Sequence, residues 1–228
     1  MKEIVSQFPM RSESDFICLP IWAKFKEGTK QMVFSNESRS IPDGLVTNEF
    51  LIRPLLATDV ELDYAAVMES KEFLRKWEQS TWPADDFTLA DNLKDLQRHE
   101  REHINRESFT FTVMNPSETE CLGCIYIFPR AARWLSQAET TSIGDTDWAK
   151  YEAVILFWIR QSRLAEAMDR QLLDILRPWF EQEWIFDGHL FLTNEQFEQQ
   201  VAMFEGAKLQ FQIEVKLPKL PGKFRAYI

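Results

Sequence analysis

The chain has 228 residues and a formal net charge of −10, from 26 Lys and Arg against 36 Asp and Glu. No basic block interrupts that balance, so a phosphate-rich polymer finds no patch to neutralise, and nucleic acid is excluded as a partner. The longest apolar run, Ala153 to Ile159, is far too short to span a bilayer, so no membrane partner is expected.

Nearly half of the residues are apolar, with 18 Phe and 8 Trp, enough to bury a sizeable core. The start, "MKEIVSQFPMRSESDF", lacks the apolar stretch of a secretion signal, and three cysteines make no complete disulfide framework. A cytoplasmic protein is expected.

Residues 1–49 read as an N-terminal extension with one strand, "DFICLPIW" (15–22), and a polar loop, "SNESRSIPDG". A domain over residues 50–228 opens with the strand "FLIRPL", closed by Pro54. Asp59 is placed to cap a helix in which Leu62, Ala65, Ala66, Met68 and Leu74 lead to Trp77 at helical spacing. "STWPADDF" breaks it. Thr88 opens a second helix, with Leu89, Leu93, Leu96 and Ile104 on one stripe.

"FTFTVM" and "CLGCIYIF", joined by "NPSE", predict an antiparallel hairpin. Residues 130–151 form a long connection holding Trp134 and Trp148. "EAVILFWIR" is apolar on both faces and reads as a central strand covered on both sides. A third helix runs from Met168 to about Trp184. The strand "HLFLT" follows, then a fourth helix that Thr193 or Asn194 can cap. "LQFQIEVKL" and "FRAYI" close the chain as strands. Hairpins alternating with crossovers predict a mixed α/β (α+β) domain with helices on both faces of one sheet.

Two short motifs suggest metal chemistry. "RHEREHIN" holds His99-Glu100-x-x-His103, the pattern of a zinc peptidase helix, but no third ligand is defined and the neighbourhood is charged throughout. His99 is expected on the polar side, in a solvated helix with Asp95–Arg98 and His99–Glu102 pairs. "CLGC" leads into a strand, where residues three apart point to opposite faces, so Cys121 and Cys124 are not expected to hold one ion. No metal is expected.

Three stretches together resemble the GNAT superfamily of acyl-CoA-dependent N-acetyltransferases, in particular its ribosomal-protein and small-amine branch. "FLIRPLLATDVELDYAAVM" is similar to the opening strand and helix of that family, and "FTFTVM…CLGCIYIFP" to its second and third strands. "FWIRQSRLAEAMDRQLLDIL" resembles its strand–loop–helix motif. The resemblance covers residues 50 to about 216 and implies a GNAT-like, mostly antiparallel sheet of about seven strands.

It further implies acetyl-CoA as co-substrate and a small-molecule or peptide amine as acceptor. Phe157 and Ile159 would line the pantetheine arm. The loop Arg160 to Ala167, with Arg163, Leu164, Ala165 and Glu166, would hold the diphosphate at a helix start, and Asn194 would add a polar contact. Glu152 is the candidate base.

The chain departs from the family at several positions. Ala165-Glu166-Ala167 stands for Gly-x-Gly, Val154 for a glutamate, Phe204 for a proton-donating tyrosine, and Lys208 for a glycine. Trp77, Trp82, Trp134 and Trp148 would flank the acceptor side or serve as core. The expected function is acetyl transfer to a primary amine. The alternative is a catalytically inactive protein of the same fold, acting as a binding module or a homodimer.

Overall fold

The computed structural model describes residue 34, residues 40–218 and residues 220–228; the strand expected at 15–22 lies outside them. Among the described residues, a nine-stranded sheet has the order β1-β2-β3-β4-β6-β7-β9-β8-β5. The strands are β1 (Leu45–Val46), β2 (Leu51–Pro54), β3 (Phe109–Met114), β4 (Cys121–Pro129), β5 (Glu139–Ser142), β6 (Ala153–Ile159), β7 (His189–Asn194), β8 (Phe211–Lys216) and β9 (Phe224–Tyr227). Every neighbouring pair is antiparallel except β6 and β7, which are joined by a helical crossover.

Two strands exceed the seven expected. β1 pairs with β2 through Leu45↔Ile52, so the sheet begins ahead of residue 50. β5 sits inside the long connection and pairs with β8 at the far edge. All four of its residues are exposed, so no apolar alternation marks it in the sequence.

β6 is buried at every position, and its alternating side chains feed two cores. Val154, Leu156 and Trp158 join Tyr126, Phe128, Leu74 and Trp77 under α1 (Val60–Glu69) and α2 (Lys71–Glu78). Ile155, Phe157 and Ile159 join Phe191, Leu172, Leu176 and Phe204 under α4 (Met168–Gln182) and α5 (Glu198–Gly206). Burial on both faces is what an uninterrupted apolar run requires.

The helix expected from Asp59 to Trp77 is two helices, broken at Ser70. Asp59 makes no side-chain cap; its carboxylate takes two hydrogen bonds from Arg53, both 2.8 Å, and one from the Leu56 N–H. Residues Asp63, Ala66 and Val67 form the buried face of α1, whereas Ala65 is exposed.

α3 (Leu89–Ile104) is capped by Thr88 as expected, but the buried stripe differs. Asn92, Leu96 and His99 face inward, while Leu89 and Ile104 are 42% and 74% exposed. Polar side chains take the buried face because each finds a partner. Asn92 Nδ2 donates to Asp63 Oδ2 at 2.8 Å, and His99 Nδ1 lies 3.1 Å from Thr110 Oγ1. Apolar spacing alone points to a face of α3 rotated from the one that is buried.

The same geometry disposes of the zinc peptidase motif. His103 Nδ1 lies 3.3 Å from the Thr110 carbonyl and His99 is sealed in the interior, so the two imidazoles do not converge on an open position. The expected pairs Asp95–Arg98 (3.2 Å) and His99–Glu102 (3.6 Å) are present.

α5 begins at Glu198 with Phe197 before it and no side-chain cap from Thr193 or Asn194. Asn194 Oδ1 instead accepts the Gln196 N–H at 2.9 Å.

Candidate active site

β6 and β7 pair in register at Ala153↔His189, Val154↔Leu190 and Ile155↔Phe191, and then part. In continued register Phe157 would face Thr193. Between them stands the carboxamide of Gln200, from α5. Its Nε2 donates to the Phe157 carbonyl at 3.0 Å, and its Oε1 accepts from Thr193 Oγ1 at 2.6 Å and from Trp77 Nε1 at 3.2 Å. Gln200 is buried, so these three bonds form away from water. The opening between the strands is therefore filled by an amide that bridges the β6 main chain and a β7 side-chain hydroxyl.

Beyond the opening, β6 delivers the chain into Gln161–Glu166, a 3-10 turn, and Ala167, at φ 54, starts α4 without a side-chain cap. A left-handed alanine carries the steric cost that glycine avoids. This is where the Gly-x-Gly departure is felt.

The turn offers donors, and side chains of the same chain take them. Ser70 Oγ accepts the Gln161 N–H at 3.0 Å, and Glu69 Oε1 accepts the Ser162 N–H at 3.0 Å. Arg160 pairs with Glu69 and with Glu120 at 3.0 Å; Arg163 pairs with Glu120 at 2.6 Å and with Glu166 at 2.9 Å. Burial lowers the Arg160 pKa, whereas hydrogen bonds to Glu120 and Glu166 raise that of Arg163. Asp169 lies half a turn into α4, and burial raises its carboxyl pKa. Two guanidiniums thus face Glu69, Glu120 and Glu166, with Asp169 close by at the positive end of the helix.

The sequence-predicted residues separate into two groups. Arg160, Arg163, Leu164, Ala165, Glu166 and Ala167 are brought together as one turn, with Ala165, Glu166 and Ala167 exposed. Phe157 and Ile159 turn their side chains into the α4–α5 core and leave main-chain groups toward the opening. Asn194 is fully buried and donates to the Lys76 carbonyl at 2.6 Å.

Glu152 stands apart from this group. It precedes β6 at the end remote from the arginines, about 26 Å away at 3.3 Å per residue, and its Oε2 accepts the Asp187 N–H at 3.0 Å. Phe204 is sealed among Phe157, Phe191 and Tyr227, and Lys208 has φ 63, the conformation that favours glycine there. Trp77, Trp82 and Trp134 are core; Trp148 is half-buried.

Gln200, Glu69, Ser70 and Glu120 were not singled out from the sequence. A signal existed for Gln200: it precedes Phe204 by four residues, so a glutamine shares the buried stripe of α5. Glu69 and Glu120 lie in segments far from the loop in sequence, and nothing local marks them. Across α2 from the opening, Arg75, Lys76, Gln79, Ser80, Gln196 and Pro221 edge a depression of about 570 Å³.

The strand order, the single parallel pair that opens after three residues, and the turn ahead of α4 together define the GNAT acetyltransferase fold. Solved structures of this class superpose on the chain. A RimL ribosomal L7/L12 alpha-N-protein acetyltransferase in complex with coenzyme A matches at TM-score 0.58 and 13% identity, covering 80% of this chain and 94% of that one. A ribosomal-protein-S5-alanine acetyltransferase from Vibrio fischeri matches at 0.60 and 11%, over 81% and 94%. The microcin C7 self-immunity acetyltransferase MccE, in complex with acetyl-CoA and AMP, matches at 0.60 and 12%, over 82% and 96%. No protein-family model matches the sequence, and neither does any curated protein.

Proposed function

We propose that this chain is an N-acyltransferase that moves an acetyl group from acetyl-CoA to a primary amine, on a small molecule or a peptide N-terminus, and that its cofactor cleft rests in a self-occupied state. One observation carries the reading: the two groups that fill the cleft copy the chemistry of coenzyme A. A carboxamide N–H on the Phe157 carbonyl stands where a pantetheine amide would bond, and a carboxylate on the Ser162 N–H stands where a phosphate oxygen would bond. The donor set therefore fits the cofactor, once Gln200 and Glu69 give way.

Acetyl-CoA would supply the activated acyl group. The chain supplies main-chain polarity along β6, the helix-start N–H groups and the two arginines, so catalysis is mainly positioning. For proton removal, Glu152, the base expected from the sequence, stands beyond the paired segment Ala153–Ile155 and would need a relay of waters to serve the opening. Glu78, buried beside Trp77 with Oε2 accepting from Ser80 at 3.1 Å, serves an acceptor entering at the Gln200 side. A pH–rate profile of Glu78→Gln against Glu152→Gln separates them.

A second reading is a catalytically inactive protein of this fold, working as a binding or dimerising module. The depth of the Gln200 plug favours it, because three buried hydrogen bonds oppose withdrawal of the amide. Isothermal titration with acetyl-CoA, paired with an assay of acetyl transfer to a primary amine, decides between them. Heat together with transfer, from the wild-type chain or from Glu69→Gln and Gln200→Ala, supports the transferase. Heat without transfer, or silence from all three at millimolar cofactor, leaves the inactive module.

A further inference from the structure

The expectation that Cys121 and Cys124 point to opposite faces fails in the structure, and the reason is local. The β3–β4 register shifts between Val113 and Met114, which pair with Gly123 and Cys121, so Leu122 is an extra residue on β4. The bulge turns Cys121 to the same face as Cys124, and both thiols lie in the core beneath α1. Gly123 makes the close approach feasible: a Cβ there would lie 2.0 Å from the Trp158 carbonyl oxygen.

Asp63 of α1 points down at the two thiols. A Cys121 Sγ, a Cys124 Sγ and an Asp63 carboxylate oxygen all lie within 4.8 Å of one another. Zinc–sulfur bonds of about 2.3 Å at tetrahedral angles separate two sulfurs by about 3.8 Å, so the three atoms need only small shifts to share one ion. The surroundings fit as well. Asp63 Oδ2 accepts from Asn92 Nδ2 at 2.8 Å, Asp63 Oδ1 lies 3.5 Å from Cys124 Sγ, and Thr112 Oγ1 lies 3.7 Å from Cys121 Sγ. The Asn92 and Thr112 contacts are of the outer kind that orients ligands in metal sites, whereas the Cys124–Asp63 bond joins two of the ligands and gives way when the thiol proton leaves.

Charge supplies the further argument. Asp63 is 4% exposed, and its hydrogen-bond partners, Asn92 and Cys124, are neutral. A buried carboxylate held by neutral groups is costly unless a proton or a cation joins it. Two thiols beside it offer the means to hold a cation. The peptidase-like histidines, by contrast, spend their ring nitrogens near Thr110.

We propose that Asp63, Cys121 and Cys124 form a binding site for a thiophilic divalent cation, zinc in the first place, that fastens α1 to the β3–β4 hairpin. Binding releases the two thiol protons to solvent and leaves a S₂O ligand set with no change of oxidation state. The site lies in the α1–α2 core and does not rest on the transferase reading.

The test uses the full chain, expressed with zinc or cobalt(II) in the growth medium. One equivalent of zinc after gel filtration is expected, and the cobalt form should show a thiolate-to-cobalt charge-transfer band. Cys18→Ser, at the third cysteine, should retain both, whereas Cys124→Ser should lose both. X-ray absorption of the wild-type zinc form, which needs no variant to fold, should give two sulfurs at about 2.3 Å and one light atom at about 2.0–2.2 Å. Absence of metal from the wild type, retention of the band in Cys124→Ser, or a shell without sulfur would each overturn the proposal.

Discussion

Replacing Gln200 by alanine removes one carboxamide and strands three partners. The Phe157 carbonyl, the Thr193 hydroxyl and the Trp77 indole N–H each lose a hydrogen bond in the interior. Leaving a buried polar group unpaired costs about 1–3 kcal/mol, so three such groups set an upper range of about 3–9 kcal/mol. The side chain removed leaves room for water to re-pair the carbonyl and the hydroxyl, which brings the expected loss to about 3 kcal/mol. Urea unfolding of wild type, Gln200→Ala and Gln200→Met measures it.

Methionine keeps the volume but not the bonds, so it should lose at least as much stability while leaving the opening filled. Under the transferase reading only Gln200→Ala should gain affinity for coenzyme A by titration calorimetry. A Gln200→Ala protein within about 0.5 kcal/mol of wild type would refute the argument that this amide joins β6 to β7, since ordinary surface substitutions fall in that range.

Further outcomes follow from other contacts. Glu69→Gln keeps an acceptor for the Ser162 N–H but removes a charge facing the arginine turn; removing about 1 kcal/mol of repulsion should raise coenzyme A affinity about fivefold at low salt, and the gain should fade near 1 M salt. Phe204→Tyr places a hydroxyl at a fully buried ring and should cost about 2 kcal/mol in thermal or urea unfolding, with no gain in transfer rate; a stable, faster variant would contradict the packing described.

Burial works against the Glu102 carboxylate, yet donation from His99, the charge of Arg98 and the Ser108 hydroxyl hold its pKa at about 2 rather than 4.5. A depressed folded-state pKa stabilises above the unfolded value, so this contribution is present above pH 4.5 and lost as pH falls toward 2. The shift corresponds to about 3 kcal/mol at most. Burial lowers the His99 pKa, so the ring carries less of the charge that depresses Glu102 near pH 7, and the contribution there stays under that ceiling. Glu102→Gln should therefore be weaker than wild type by about 1–3 kcal/mol at pH 7, with the gap closing near pH 2 in urea titrations. A gap independent of pH would show that the carboxylate charge contributes nothing.

The chain's own residues were enough to place β2, the β3–β4 hairpin, β6, α4, β7 and the closing strands, because each carries its own period and its own turn chemistry. The run from Ala153 to Ile159 declared a strand buried on both faces, and Thr88 declared a helix start. β5 was not legible, since a fully exposed edge strand has no apolar alternation to read. The buried face of α3 was not legible either, because Asn92 and His99 are polar residues whose partners, Asp63 and Thr110, lie elsewhere in the chain.

The same division runs through the sites. The arginine turn is one contiguous segment, so Arg160 to Ala167 could be named from the sequence. What meets that turn was decided only in three dimensions: Glu69 and Glu120 arrive from other elements to neutralise it, and Gln200 crosses from α5 to fill the gap between β6 and β7. Likewise a single extra residue at Leu122 reversed the facing of Cys121, which strand alternation could not foresee. Local sequence sets backbone periodicity, which is short-ranged; the partner of each charge and each buried polar group is set by packing between segments far apart in the chain.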